Sequence, residues 1–232
     1  MTDHVHDLRS LREATDRLLT AAAKLDNAAL AEESLLPGWT RGHVLAHLAR
    51  NADALVNVVE GRPMYASAVA RDADIERDSG RPLVEQLEDL RNSADRYQAA
   101  TELPQDWSRT VELRGGVTDS AARIPFRRLV EVELHHVDLG IGYGLGDLPD
   151  EFTAREIEFL ADRWSGRREV PPVTLVLGSG GSGGTWHIAG GEGAPVTVSG
   201  TGAELLGWLA GRGDLGAHLT VDGGSLPALP PL

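Results

Sequence analysis

Cysteine is absent from the 232 residues. That excludes disulfides, cysteine-ligated zinc and a cysteine nucleophile, so any thiol chemistry here would need a thiol brought from outside the chain. Lysine is nearly absent as well: Lys24 stands alone, and arginine carries the positive charge. Positive charge is itself in deficit, with a formal net charge of −13 and a pI near 5.0. This argues against nucleic acid and anionic membrane surfaces as partners. No apolar run approaches the roughly 20 residues that would span a bilayer. The start, Met1-Thr2-Asp3-His4, is polar and lacks the apolar stretch of a signal peptide. A soluble, cytoplasmic protein is the expectation. Hydrophobic residues make up 41% of the chain, enough for a real core.

The pattern along the chain divides into helix first and sheet second. Residues 4–34 read as a helix, with Leu8, Leu11, Leu18, Leu19, Ala22 and Leu25 near helical spacing. Pro37-Gly38 breaks it, and Thr40 reads as the N-cap of a second helix over 41–60. Residues 62–80, rich in Asp and Arg, read as irregular and longer than an ordinary loop. A helix follows over 82–102, then an extended connection with short strands near Thr110–Leu113. The next helix runs from about Pro125 to Ile141, and another over 151–165. Beyond Arg167-Arg168-Glu169-Val170-Pro171-Pro172, the best linker candidate, the texture changes. Strands are expected at 173–177, 185–188, 195–199 and 217–222, with a short helix at 203–211. The fold expected is α+β: a four-helix bundle over residues 1–166, then a small α/β domain over 170–232.

Two stretches carry candidate chemistry. Glu131-Val132-Glu133-Leu134-His135-His136-Val137-Asp138 packs five ionisable side chains into eight helical residues. Glu131 lies one turn from His135, and both lie near Asp138. Carboxylate with imidazole suits zinc. A third ligand would have to come from the other histidine-bearing helix, where His43 and His47 are spaced four apart. Its apolar stripe of Val44, Leu48 and Leu55 leaves His47 near the edge and turns His43 further toward solvent. The alternative for His47 is a core-edge histidine bonded to a carbonyl. On the other helix, the stripe of Phe126, Val130, Leu134, Val137 and Ile141 favours Glu133 and His136 as the inward pair. A solvated charged face is the competing reading. Gly178-Ser179-Gly180-Gly181-Ser182-Gly183-Gly184 lacks the Lys-Ser/Thr ending of a phosphate loop and reads as a flexible hairpin connection. Arg71, Arg81 and Arg212 could each hold an anion or simply be solvated.

The stretch Leu36-Pro37-Gly38-Trp39-Thr40-Arg41-Gly42-His43-Val44-Leu45-Ala46-His47-Leu48-Ala49-Arg50-Asn51-Ala52-Asp53 resembles the mycothiol-dependent maleylpyruvate isomerase family, within the DinB-like metal-dependent superfamily. The Glu131–Leu139 stretch is similar to the family's second motif. Residues 70–76 and 206–212 also look like family segments. The resemblance implies a DinB-like bundle with a smaller C-terminal α/β domain. It implies zinc, or another divalent metal, on His47, Glu131 and His135, which displaces the Glu133/His136 preference. Arg212, together with Arg71 or Arg81, would hold an anionic substrate. The implied cofactor thiol is mycothiol. As a metal-held thiolate it would add to the cis double bond of maleylpyruvate, and rotation and elimination would give fumarylpyruvate. Two other functions share these motifs. One is a zinc-dependent S-transferase acting on a different electrophile; the other is a non-catalytic small-ligand module with a structural metal.

Overall fold

A computed structural model describes residues 3–103, 105–178 and 183–230. The chain forms two compact units, Met1–Tyr143 and Gly144–Leu232. The first is helical and the second holds a sheet, as the composition of the two halves implies. No helix among the described residues is long and apolar enough to cross a membrane.

In the first unit, α1 (His4–Ala22), α3 (Arg41–Val59), α5 (Leu83–Glu102) and α6 (Ile124–Asp138) form the bundle. α1 packs on α5 and α6, and α3 packs on the same two helices. The N-terminal helix is shorter than its apolar spacing suggests. It stops at Ala22, and a single new turn, α2 (Asn27–Leu30), starts behind Asp26, whose carboxylate accepts from the Ala29 amide at 2.7 Å. A capping box starts α3: Thr40 accepts from the His43 amide at 3.3 Å, while His43 Nδ1 accepts from the Thr40 amide at 3.2 Å.

The segment expected to be irregular contains α4 (Ala68–Ser79), capped by Ser67, whose hydroxyl accepts from the Ala70 amide at 3.0 Å. Only Ile75 and Asp78 of this helix are buried. A helix that buries two side chains leaves no apolar stripe to detect. α4 packs on α3, and Gly42 makes the approach possible. A Cβ at Gly42 would lie 2.3 Å from the Ser79 carbonyl oxygen, a backbone atom that cannot swing aside. Gly42→Ala is therefore expected to cost about 1–3 kcal/mol of stability, read as a shift of the urea midpoint; an unshifted midpoint would mean the two helices separate freely.

The fastening of α3 to α6 positions the site. Arg41, the first residue of α3, donates from Nε to the Leu139 carbonyl at 2.8 Å, and the Leu35 amide donates to the Asp138 carbonyl at 2.8 Å. These donors satisfy carbonyls that the end of α6 leaves open. The start of α3 is thus pinned to the end of α6, and the two helices run antiparallel past one another. A short hairpin, β1 (Thr110–Glu112) and β2 (Thr118–Ser120), completes the unit.

The second unit has a four-stranded sheet in the order β4 (Thr185–Ile188), β3 (Val173–Leu177), β5 (Val196–Gly200), β6 (Thr220–Asp222). β3 and β5 are parallel; the other pairs are antiparallel. Val173, Leu175, Val196, Val198 and Ile188 supply the buried face. Two helices cover it, α7 (Asp150–Trp164) and α8 (Gly202–Leu209). α8 opens with a capping box between Thr201 and Glu204, and Trp164 donates from its indole to the Leu209 carbonyl at 3.4 Å. The sequence placed α7 with the bundle and the boundary at 166–170. Instead α7 packs on α8 and β4, because Trp164, Ile157 and Leu160 bury against that layer, and the compact units divide between Tyr143 and Gly144. Of the glycine-rich stretch, residues 179–182 lie outside the described residues.

Candidate metal centre

His47 is six residues into α3 from the pinned end, and His135 is four residues back from Leu139. Running antiparallel, the two helices bring these rings to 4.7 Å between centroids, nearly perpendicular at 85°. Glu131, one turn before His135, extends its Oε2 between them. That oxygen is 2.9 Å from His47 Nε2 and 3.2 Å from His135 Nε2. One ligand atom from each of the three residues lies within 4.8 Å of the others, the only such group of three or more His, Cys, Asp or Glu among the described residues. The side chains of His47 and His135 are 7% and 12% exposed, and that of Glu131 is 33% exposed. The group is enclosed but open on the carboxylate side.

The charges follow from this packing. Burial drives the His47 imidazole down to about 4, against the pull of Glu131, so the ring is neutral at pH 7. Burial acts against ionised Glu131 too, but hydrogen bonds from His135 and His47 outweigh it and hold the carboxyl well below its usual range. Burial likewise opposes a charge on His135, and its bonds to Asp138 and Glu131 together raise it. The His135 Nδ1 to Asp138 Oδ2 distance is 2.8 Å, and Asp138 is 1% exposed. An imidazole that donates Nδ1–H to a buried carboxylate presents Nε2 to a metal, the usual support for a metal-bound histidine. A neutral imidazole, an anionic carboxylate and a second imidazole oriented this way fit a divalent ion. His47 adds a condition. Its Nδ1 accepts from the Arg71 guanidinium at 3.2 Å; a metal held on Nε2 would leave a proton on Nδ1, and the bond from Arg71 would then be lost.

Residues 11–140 match the family model described as mycothiol maleylpyruvate isomerase N-terminal domain, and residues 147–231 match the one described as MDMPI C-terminal domain. The chain belongs to the mycothiol maleylpyruvate isomerase family. A solved mycothiol-dependent maleylpyruvate isomerase is 29% identical, with a TM-score of 0.88 over 99% of this chain and 97% of that one. A second structure, of a histidine-to-alanine mutant of that enzyme, is 28% identical, with the same score and the same coverage. No protein of curated function matches the chain.

In this family member Glu133 and His136 are buried, as periodicity implied, but they face elsewhere. Glu133 accepts from Arg17 at 2.5 Å and from the Tyr143 hydroxyl at 2.8 Å, and His136 stacks on Tyr143 at 4.0 Å. His43 is occupied at the helix cap and by Glu76 at 3.2 Å. Of the candidate arginines, Arg71 reaches the group and also sits 6.0 Å over the Tyr65 ring. Arg81 does not; it pairs with Asp78 at 2.6 Å and Asp89 at 3.3 Å. Arg212 belongs to the second unit, where it donates to the Ala210 carbonyl at 3.0 Å. Sequence reasoning missed Tyr65. It lies in the stretch taken as irregular, and no spacing or motif marks it.

Proposed function

We infer that this protein is a mycothiol-dependent maleylpyruvate isomerase whose metal, most naturally zinc, is held by His47, Glu131 and His135. The observation that carries the reading is the convergence of these three side chains from two helices, with an acid behind one of them, in a chain of this family. Three protein ligands leave a coordination position for an exogenous group. When bound there, the metal would keep an external thiol as thiolate at neutral pH, supplying the nucleophile whose reversible addition frees rotation about the substrate's cis double bond.

The chain's own residues do the rest. Asp138 fixes the tautomer and ring plane of His135. Glu131 supplies one negative charge, so a divalent ion keeps a net positive charge toward an incoming anion. Arg71, whose guanidinium lies 6.0 Å over the Tyr65 ring, would be released from His47 by a bound metal, and a bidentate bond from it to a carboxylate would orient the substrate.

Incubating the metal-loaded protein with mycothiol and maleylpyruvate tests the reading through the absorbance of the conjugated double bond. Absence of turnover with metal and both small molecules present would reject it. Metal uptake itself has an expected pH dependence. His47 has no proton to lose above about pH 4, but His135 is raised above the ordinary histidine value of 6.5. Metal must displace that proton. Apparent affinity is therefore expected to fall about tenfold per unit as pH drops below the raised His135 value, and to level off above it. A flat affinity from pH 5 to 8 would remove His135 from the ligand set.

A further inference from the structure

A cavity of about 530 Å³ opens in the first unit between the end of α3, the connector to α4 and the β1–β2 hairpin. None of the three site residues lines it; the link to them runs from Tyr65, on the cavity wall, through Arg71 to His47. The Tyr65 ring lines the cavity and carries the Arg71 guanidinium 6.0 Å over its face, while Arg71 reaches His47 at 3.2 Å. Burial raises the Tyr65 phenol above its usual range; Arg71 and, more weakly, Arg114 pull it back, and Glu131 pushes it further up. The phenol thus stands where the fields of the metal group and the cavity meet.

The cavity wall has a sign. Arg62, Arg109 and Arg114 line it, against the single acid Glu112. In a chain with a net charge of −13, a wall that is locally positive selects anions. Two of the three arginines are committed. Arg109 donates from Nη2 to the Val58 and Val59 carbonyls at 2.9 and 2.6 Å, closing the end of α3, and Arg62 pairs with Glu60. Arg114 has no hydrogen bond and no ion pair among the described residues. It occupies the hairpin tip, in a turn that Gly115 and Gly116 close with φ of +72° and +74°, conformations other residues rarely adopt. The Leu113 amide locks the turn by donating to the Val117 carbonyl at 2.7 Å. The hairpin therefore presents an uncommitted guanidinium to the cavity from a fixed base.

We propose that this cavity is a carboxylate subsite adjoining the metal group, with Arg114 as the residue that captures the far carboxylate of a dicarboxylic substrate. Arg71, over the Tyr65 ring, and Arg114, on the cavity wall that Tyr65 also lines, then hold the two ends of one molecule. The choice of a dicarboxylate rests on the isomerase reading; the anion site itself does not. Arg114 acts as a specificity residue and takes no part in bond making.

Maleate, titrated calorimetrically into metal-free protein without any thiol, is the probe. The wild type is expected to bind maleate, and more weakly as salt rises. Arg114→Gln is expected to weaken binding about tenfold, equivalent to about 1.4 kcal/mol, with metal content unchanged. Arg114→Lys should recover part of the affinity, since it keeps the charge and loses the paired donors. In the loaded enzyme the same variants should raise KM and leave kcat nearly unaltered. Equal maleate affinity in wild type and Arg114→Gln overturns the proposal, as does binding indifferent to salt. Because the titration uses neither metal nor thiol, a failure there leaves the metal assignment standing. Arg114-dependent maleate binding in a protein without isomerase activity would overturn the isomerase reading and keep the subsite.

Discussion

Replacing His135 with alanine is expected to strip the protein of its metal and lower isomerase turnover by about a thousandfold, about 4 kcal/mol of barrier. The expectation rests on how few groups hold the site. His47, Glu131 and His135 are the only cluster of three or more such donors with mutually close ligand atoms among the described residues, and losing one leaves two. His135 is also the ligand most firmly oriented, through the 2.8 Å contact of its Nδ1 with Asp138. Asp138→Asn separates orientation from ligation. The amide keeps the shape and loses the anionic acceptor, so metal affinity is expected to fall about 10- to 100-fold rather than vanish. Metal content after dialysis, with circular dichroism as the check on folding, reads both variants. Full metal retention in His135→Ala and in His47→Ala would end the assignment.

The ligand pair on α6 shows where the sequence stops being readable. A helical projection assumes one buried face. α6 has two, since it packs on α1 and on α3. The stripe of large apolar residues points between them, so the projection ranks Glu133 and His136 as inward. They are inward, at 1% and 2% exposure, but beside Arg17 and Tyr143 on the α1 side. Glu131 and His135 face α3. Only knowledge of which neighbour carries His47 separates the two pairs, and that comes from tertiary packing or from the family resemblance, not from periodicity. The α3 segment was legible because its start is written locally: Pro37-Gly38 stops the chain, Thr40 caps the helix, and the apolar stripe leaves His47 at its edge. α4 was not legible, since Ile75 is its one buried apolar residue. With α4 taken as irregular, nothing could choose between Arg71 and Arg81. Helical geometry places Arg71 at His47 and gives Arg81 to Asp78 and Asp89. The second unit's strands fall within a few residues of where alternation places them, because β3 and β5 alternate buried and more open positions. The assignment of α7 to that unit rests on Trp164 and Ile157 meeting α8, a contact no local pattern announces.

The buried arginine beneath the site is expected to be worth more to function than to stability. Arg128 is 1% exposed and donates from Nη1 to Asn51 Oδ1 at 2.8 Å, while its Nη2 has no hydrogen-bond partner. Asn51 follows His47 by one turn of α3, and Arg128 precedes Glu131 by about 4.5 Å along α6. The Asn51–Arg128 pair is therefore the layer directly below His47–Glu131. Burial lowers the guanidinium to about 10, partly offset by Glu131. The charge persists at pH 7, and keeping it desolvated costs about 3 kcal/mol. Because the folded value lies below the free one, this cost is present at all pH below about 10 and disappears only as the unfolded arginine also deprotonates. Removing the charge alone would strand the Asn51 acceptor, at about 1–3 kcal/mol. The double change Arg128→Met with Asn51→Leu removes both polar partners at similar volume. It is expected to raise stability by about 1–4 kcal/mol, seen as a higher urea midpoint with an unchanged slope. The same change removes a positive charge lying one turn below Glu131, and with it part of the field that draws anions to the metal group. The stabilised variant is therefore expected to keep its metal and lose about tenfold in kcat/KM for an anionic substrate. A double variant less stable than the parent would mean that Arg128 makes stronger interactions than its single bond to Asn51. A stabilised variant with unaltered kcat/KM would mean that its charge does not reach the site.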